Sequence, residues 1–292
     1  MKEIILKNIE KALLRIALSL EKKNTTQLNF KIDEKSSVFI WDPDENYLKA
    51  VNKVNYLDLE LLKGIDHQKE VLYQNTLNFS KGYQANNALL WGAKGAGKSS
   101  LIKSIFFSII NNSKNKLSLI EINREDLESL PKLLNLIKNL KRQFILYCDD
   151  LSFEKSETKF KSLKSVLEGG IEGKPNNVVF YATSNIRHLI SSNSNEMEQL
   201  NTVAQKDHLN ETISLSDRFG LWIGFHNIDQ NTYLEIINSY LKYFEIEDAN
   251  NEIRENSLKW SIQRGSRSGR VAWQYIVDVA AVSYTHLRAH ET

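Results

Sequence analysis

The central part of the chain alternates between short, uninterrupted apolar runs and segments in which apolar residues recur at helical spacing. The apolar runs predict five β-strands, and the amphipathic segments between the first four predict helices. Strands that are apolar on both faces are typical of a parallel sheet covered by helices on both sides. The predicted strands are 88–91, 117–122, 144–148, 178–182 and 221–225, with helices at 99–110, 131–140 and 160–167.

The pattern changes at both ends of this region and predicts four parts of the chain. Residues 1–60 form an N-terminal extension with an amphipathic helix and a short apolar strand or anchor. Residues 61–226 form the α/β domain. Three helical patterns in 227–282, the first capped by Asp229, predict a small all-helical domain. The final segment, 283–292, breaks the apolar pattern and is interpreted as a non-native tail.

Composition narrows the class of protein without identifying it. Apolar residues make up 41% of the chain and charged residues 25%, as in ordinary globular proteins. The net charge of +2 lacks the basic excess of a dedicated nucleic-acid binder. The single cysteine, Cys148, excludes an intramolecular disulfide. Without a signal peptide or a sufficiently long apolar stretch, the chain is predicted to be cytoplasmic and not a membrane protein.

The segment 92–99 reads GAKGAGKS, which matches the phosphate-binding pattern G-x-x-x-x-G-K-[ST] in full. It follows a predicted strand and opens a predicted helix, as this motif requires. Glycines let backbone N–H groups turn toward phosphate oxygens, and the helix N-terminus adds a positive dipole. The alternative is a flexible glycine loop before an ordinary helix. The residues predicted to bind nucleotide here are Gly92, Ala93, Lys94, Gly95, Ala96, Gly97, Lys98, Ser99 and Ser100.

Within this segment, Lys98 is predicted to reach the terminal phosphates, and the Ser99 hydroxyl to bind Mg²⁺. Two aspartates follow the predicted strand 144–148 and supply the acidic partner that a Mg²⁺ site requires. Asp149 is predicted to hold the metal and Asp150 to orient the attacking water. An Asp-Asp pair after a strand is also a common turn or helix cap, and that alternative stays open.

Three further positions extend the predicted site. Asn185 ends the next strand and is predicted to contact the γ-phosphate or the attacking water, although it is also suited to start a turn. Arg218 precedes the last strand and is placed to contact a neighbouring subunit; a salt bridge with Asp217 or another acid is the alternative. The segment RGSRSGR, 264–270, suits oxyanion contact at a helix start, with Arg270 the first candidate and Arg267 the second. A nucleic-acid patch and a solvated turn are the rival interpretations.

Together these motifs resemble the AAA+ superfamily and, more narrowly, the bacterial family known as domain of unknown function 815. The resemblance implies a P-loop fold of three layers, α/β/α, with a five-stranded parallel sheet followed by a small helical lid. It implies a Walker A motif at 92–99, a Walker B motif ending at Asp149 and Asp150, sensor 1 at Asn185, an arginine finger at Arg218 and sensor 2 at Arg270. The matching stretches are GIDHQKEVLYQNT, LLWGAKGAGKSSLIK, FILYCDDLSFE, VLEGGIEGKPNNVVFYATSNIRHL, ISLSDRFGLWIGF and RGSRSGRVAWQ.

The chain departs from the superfamily at the second acid of the Walker B motif, which is usually glutamate and here is Asp150. An aspartate is one methylene shorter, so its carboxylate lies about 1.5 Å further from the water. Either Asp150 or Glu154 is therefore predicted to align the water. The predicted catalytic residues are Asp150, Glu154, Asn185 and Arg218.

The predicted function is Mg²⁺-dependent hydrolysis of ATP to ADP and phosphate by a homo-oligomer in which Arg218 acts in trans. Lid motion would then remodel or load a macromolecular partner, either a protein client or DNA. The alternative is an ATP-dependent switch or DNA-associated loader with low turnover. A small-molecule kinase is disfavoured by the helical C-terminal part and by Arg218 before the last strand.

Overall fold

A computed structural model describes residues 11, 13–15, 32–112, 116–151, 157–168, 174–185, 218–248 and 250–290. Most of the helix predicted near the N-terminus lies outside these ranges. All five predicted strands are present, and they pair in parallel. They are β3 (Ala88–Gly92), β4 (Leu117–Glu121), β5 (Gln143–Cys148), β6 (Val178–Ser184) and β7 (Leu221–Phe225).

The predicted sheet of five strands was too small, because β1 (Val38–Asp42) and β2 (Tyr47–Ala50) extend it to seven. The strand order is β2-β1-β4-β5-β6-β3-β7. β1 runs parallel to β4, and β2 returns antiparallel to β1. Both strands lie in the predicted N-terminal extension. Their place in the sheet was missed because a short apolar run at 39–41 does not show which strand it will pair with.

Helices cover both faces of the sheet and bury alternate residues of each strand. On one face lie α1 (Asp66–Ser80) and α2 (Lys98–Asn112), packed on a core that includes Leu90, Ile145 and Tyr147. On the other face lie α3 (Leu130–Ile137) and α4 (Glu157–Glu168), packed on a core that includes Leu89 and Leu146. The fold therefore has three layers, with the carboxyl ends of the parallel strands at one edge of the sheet.

A small helical lid follows β7. It contains α5 (Gln230–Tyr243), α6 (Glu252–Gln263) and α7 (Gly269–His290), which pack around buried apolar residues such as Tyr233 and Ile276. Asp229 caps α5, since its Oδ1 accepts a hydrogen bond from the Thr232 backbone N–H at 2.7 Å. The backbone of α7 stays helical as far as His290, and the foreign origin of 283–292 stays a prediction. Within the described ranges, no helix has the length and apolar character needed to cross a membrane.

Candidate functional site

The glycine-rich loop between β3 and α2 has the backbone conformation that its sequence predicts. Gly92, Gly95 and Gly97 have φ values of 125°, 73° and 95°, which residues with a β-carbon rarely adopt. The start of the loop is fixed on the end of β7, because the Ala93 N–H donates to the carbonyl of Phe225 at 2.9 Å. A β-carbon at Gly92 would lie 1.9 Å from that same carbonyl oxygen. The loop can therefore close on β7 only with glycine at this position.

Lys98 lies inside the curve of this loop and is only 6% exposed. Its Nζ donates to the backbone carbonyls of Gly92 and Ala93, both at 2.8 Å. A third hydrogen bond reaches Oδ1 of Asn185 at 3.1 Å. The ammonium group therefore links the phosphate loop to the carboxyl end of β6, where Asn185 follows the strand.

The pKa of Lys98 depends on neighbouring charges as well as on burial. Removal from water lowers the pKa of Lys98, and the positive charges of Arg270 and Lys94 act in the same direction. The carboxylates of Asp149 and Asp150 oppose this effect. Three cationic and two acidic side chains thus influence one another around the loop.

Asp149 accepts two hydroxyl hydrogen bonds on the same carboxylate oxygen. Ser99 Oγ donates to Oδ1 at 2.7 Å, and Thr183 Oγ1 donates to it at 2.5 Å. Partial burial alone would raise the pKa of Asp149, but the hydrogen bonds from Thr183 and Ser99 and the charge of Lys103 lower it below the ordinary value. The site therefore presents an ionised carboxylate beside a serine hydroxyl, which is a set of hard oxygen ligands of the kind that Mg²⁺ prefers.

Asp150 occupies a left-handed turn with φ of 53°. Its backbone N–H donates to Thr183 Oγ1 at 2.9 Å, so one threonine hydroxyl bridges both aspartates. Its carboxylate Oδ1 accepts a hydrogen bond from Asn185 Nδ2 at 2.5 Å. Glu154 lies outside the described residues, so the choice between Asp150 and Glu154 stays a prediction.

The lid packs directly on the phosphate loop through the start of α7. The Arg270 N–H approaches the carbonyl of Gly95 at 3.4 Å, and a β-carbon at Gly95 would lie 2.9 Å from Ser268 Oγ. Arg270 lines a cleft of about 930 Å³ between the sheet and the lid, whereas Arg267 is exposed outside its lining. Other residues that line the cleft are Lys94, Gly95, Ala96, Gly97, Lys98, Ser99, Ser100, Asp149, Asp150, Thr183 and Asn185.

Arg218 does not join this group. It precedes β7, and β7 begins level with Ala88, whereas the phosphate loop starts at the far end, where Gly92 is level with Phe225. At the rise of a β-strand, these two levels are about 13 Å apart. Arg218 therefore lies at the amino ends of the strands, opposite the phosphate loop. Its Nη2 forms an ion pair with Oε1 of Glu168 at the end of α4. The sequence-based alternative of a salt bridge with an acid is therefore present in this structure.

Two residues of the site were missed in the sequence interpretation. Thr183 was given no role, although its hydroxyl joins Asp149 to Asp150. Tyr147 was counted as one residue of an apolar run. Because alternate residues of a strand share a face, its position two before Asp149 could have placed it under the carboxylate.

The family described as "Protein of unknown function (DUF815)" matches residues 34–283 of the sequence. The chain belongs to this family. No curated protein resembles the sequence closely enough to count as a relative. The DUF815 match includes β1 and β2, the phosphate loop and the lid.

Solved structures identify the fold of this DUF815 protein as that of AAA+ proteins. An Aeropyrum pernix ORC1 protein in complex with DNA matches with a TM-score of 0.56 at 13% identity, over 77% of this chain and 61% of that chain. A mutant of Thermotoga maritima RuvB matches with a TM-score of 0.51 at 18% identity, over 79% of this chain and 68% of that chain. At these identities the similarity establishes the fold alone.

Proposed function

We propose that this protein is an ATPase that hydrolyses ATP to ADP and phosphate with Mg²⁺ in the cleft between sheet and lid. One observation carries the proposal: a single cleft contains a phosphate loop with its lysine, an ionised Asp149 bonded to Ser99, and a lid arginine, Arg270. Each group suits a different part of a nucleoside triphosphate. A cytoplasmic location, expected from the sequence, stays a prediction.

The loop and Lys98 would hold the phosphates. Backbone N–H groups of a glycine-rich loop at a helix N-terminus attract anionic oxygens, and α2 begins at Lys98 itself. The Lys98 ammonium donates to two carbonyls of the loop, so it is held within a few ångströms of the backbone that would curve around the phosphates. Arg270 would add a second positive charge from the lid side.

Ser99 and Asp149 fit a Mg²⁺ ion. Both offer oxygen atoms, they lie 2.7 Å apart, and the lowered pKa of Asp149 keeps its carboxylate ionised at neutral pH. A bound Mg²⁺ ion would neutralise charge that develops on the phosphates during hydrolysis. Asp150 would orient the attacking water, and Asn185, bonded to Asp150 and to Lys98, would keep that carboxylate aligned with the phosphate loop.

The position of Arg218 supports action on a neighbouring subunit. The side chain lies at the sheet edge opposite its own phosphate loop, which is further than an arginine can extend. We therefore propose a homo-oligomer in which Arg218 leaves Glu168 and completes the site of the adjacent copy. Arginine fingers contribute about 10³–10⁵ in rate where they have been measured.

The lid would carry the effect of the nucleotide to a partner. Aromatic and apolar residues of the lid, including Tyr240 and Trp273, line the cleft beyond the phosphate loop and suit the base of the nucleotide. Contact of Arg270 with the phosphates would draw the lid onto the sheet, and this motion would remodel or load a protein client or DNA.

Binding of ATP and Mg²⁺ can be measured by calorimetry on the wild-type protein and on Lys98→Ala. We expect the variant to lose binding by at least a hundredfold, because it removes the phosphate-facing charge inside the loop. Lys132→Ala is the matched control, since Lys132 is exposed on α3 on the opposite face of the sheet from α2. Equal affinities for the wild-type protein and Lys98→Ala would refute the proposed site.

The second candidate is an ATP-dependent switch or DNA-associated loader with low turnover. It is favoured by the short acid at Asp150, whose carboxylate is already engaged by Asn185. Single-turnover hydrolysis with and without duplex DNA separates the two functions. Rapid hydrolysis by the assembled protein without DNA supports the ATPase. Tight ATP binding without hydrolysis, or with hydrolysis only on DNA, supports the switch or loader.

A further inference from the structure

Tyr147 places a polar group inside the core directly behind the proposed metal site. The residue is 0% exposed, and among the described residues its hydroxyl has no hydrogen-bond partner. A buried hydroxyl without a partner is unfavourable, because it has left water without replacing the lost hydrogen bond. An apolar phenylalanine would fill the same space, so the hydroxyl calls for an explanation beyond packing.

The surroundings of this hydroxyl belong to the nucleotide site. Tyr147 lies on β5, two residues before Asp149, which follows the strand. Both side chains lie on the side of the sheet that faces α2. Burial raises the pKa of Tyr147, and the negative charge of Asp149 raises it further. The Nζ of Lys103, one turn after Ser99, lies 5.9 Å from the centre of the tyrosine ring. Tyr147 is therefore enclosed between β5, which leads into Asp149, and the helix that contains Ser99.

The Asp149 carboxylate can accept a further hydrogen bond. Both hydroxyls that reach the carboxylate, from Ser99 and Thr183, donate to the same oxygen, Oδ1. In the proposed function, the Ser99 oxygen would bind Mg²⁺ through a lone pair while its hydroxyl still donates to Oδ1. Among the described residues, no hydrogen bond reaches the second carboxylate oxygen, Oδ2. Another neutral donor from the protein side would help the carboxylate to keep its orientation.

We propose that Tyr147 is a positioning residue for the metal site, whose hydroxyl donates to the Asp149 carboxylate when Mg²⁺ is bound. This inference rests on the proposed function, because it assigns Tyr147 a role only in the nucleotide-bound protein. Tyr147 is buried and does not line the cleft, so its hydroxyl would act through Asp149. Its contribution is to limit the rotation of the carboxylate and so favour metal binding.

Tyr147→Phe removes the hydroxyl and nothing else. We expect the Mg²⁺ concentration that gives half-maximal enhancement of fluorescent ATP-analogue binding to rise about tenfold, as for the loss of one hydrogen bond to a charged group. Binding of the same analogue in excess EDTA should be unchanged, since Tyr147 does not face the phosphates. The thermal midpoint without ligand should stay the same or rise, because the variant removes a buried hydroxyl that has no partner.

Tyr181→Phe is the matched control. Tyr181 is buried on the neighbouring strand β6, but its hydroxyl is already bonded to Thr76 and Asn75, each at 2.9 Å. This variant should lower the thermal midpoint and leave the Mg²⁺ dependence unchanged. The two variants should therefore behave in opposite ways. Tyr147→Phe should change the Mg²⁺ dependence without loss of stability, and Tyr181→Phe should lose stability without a change in Mg²⁺ dependence.

An unchanged Mg²⁺ dependence in Tyr147→Phe overturns the inference, as does an equal change in Tyr181→Phe. Loss of folding in Tyr147→Phe also overturns it, because the hydroxyl would then stabilise the protein without ligand. A wild-type protein that binds the analogue neither with Mg²⁺ nor in EDTA refutes the proposed function itself. The failure of the inference and the failure of the function are therefore distinct results.

Discussion

Thr183 provides a direct test of how the two aspartates are held, because one hydroxyl serves both. Its Oγ1 donates to Asp149 Oδ1 at 2.5 Å and accepts from the Asp150 N–H at 2.9 Å. Thr183→Val keeps the shape and the strand preference of the side chain but removes both hydrogen bonds. Asp149 is exposed to the cleft, so solvent screening places its bond near the lower end for charged acceptors, about 1.5 kcal/mol. The Asp150 N–H adds about 0.5 kcal/mol, for a total loss of about 2 kcal/mol at pH 7.

The loss should depend on pH in a defined direction. The pKa of Asp149 is lower in the folded protein than its ordinary value of 3.8. A lowered carboxyl pKa stabilises the folded state above the unfolded pKa, and that contribution disappears as the pH falls through the folded pKa. The difference in unfolding free energy between the wild-type protein and Thr183→Val should therefore begin to shrink near pH 3.8. It should approach about 0.5 kcal/mol only below the folded-state pKa of Asp149, where only the Asp150 bond remains.

Urea denaturation at several pH values between 7 and 3 measures this difference. Thr183→Ser is the control, because it keeps the hydroxyl and loses only a methyl group, at a cost of about 1 kcal/mol that should not vary with pH. A Thr183→Val penalty that is the same at both ends of the pH range would refute the assignment of the hydrogen bond to the ionised Asp149.

Three other predictions test separate parts of the structure. Gly92→Ala should lower the free energy of unfolding measured in urea by more than about 3 kcal/mol. Gly265→Ala is the control and should cost about 1 kcal/mol, because φ is positive there but the space is open. Similar costs for the two variants would contradict the close contact at β7. Arg218→Ala should lower turnover of the assembled protein by about 10³ and leave ATP affinity unchanged, and unaltered turnover at high protein concentration would exclude a role in trans. Because burial raises the pKa of Cys148 to about 12, a thiol reagent at pH 8 should label it only after denaturation, and rapid labelling of the native protein would contradict that burial.

Local patterns predicted the parallel strands and the phosphate loop, because each depends on residues that are close in sequence. The loop needs glycines and a lysine within 92–99, and β3 needs an apolar run just before them. The contacts whose partners the sequence left unspecified join distant segments. Trp41 on β1 donates to Ser129 Oγ at 2.6 Å across 88 residues, and Arg218 pairs with Glu168 across 50 residues. No local periodicity specifies which of several acids or strands a side chain will meet in the folded chain.

The backbone at Asp150 gives a physical reason for the unusual second acid. Its φ of 53° lies in the left-handed region, which aspartate and asparagine enter more readily than other residues with a β-carbon. The turn is fixed to β6 twice, since the Asp150 N–H bonds to Thr183 Oγ1 and the Leu151 N–H bonds to the Thr183 carbonyl at 2.7 Å. A glutamate in this turn would be more strained and would carry its carboxylate past Asn185. The shorter acid is therefore held more firmly but extends less far toward a phosphate. For that reason we expect an isolated subunit to hydrolyse ATP slowly until a neighbour supplies Arg218.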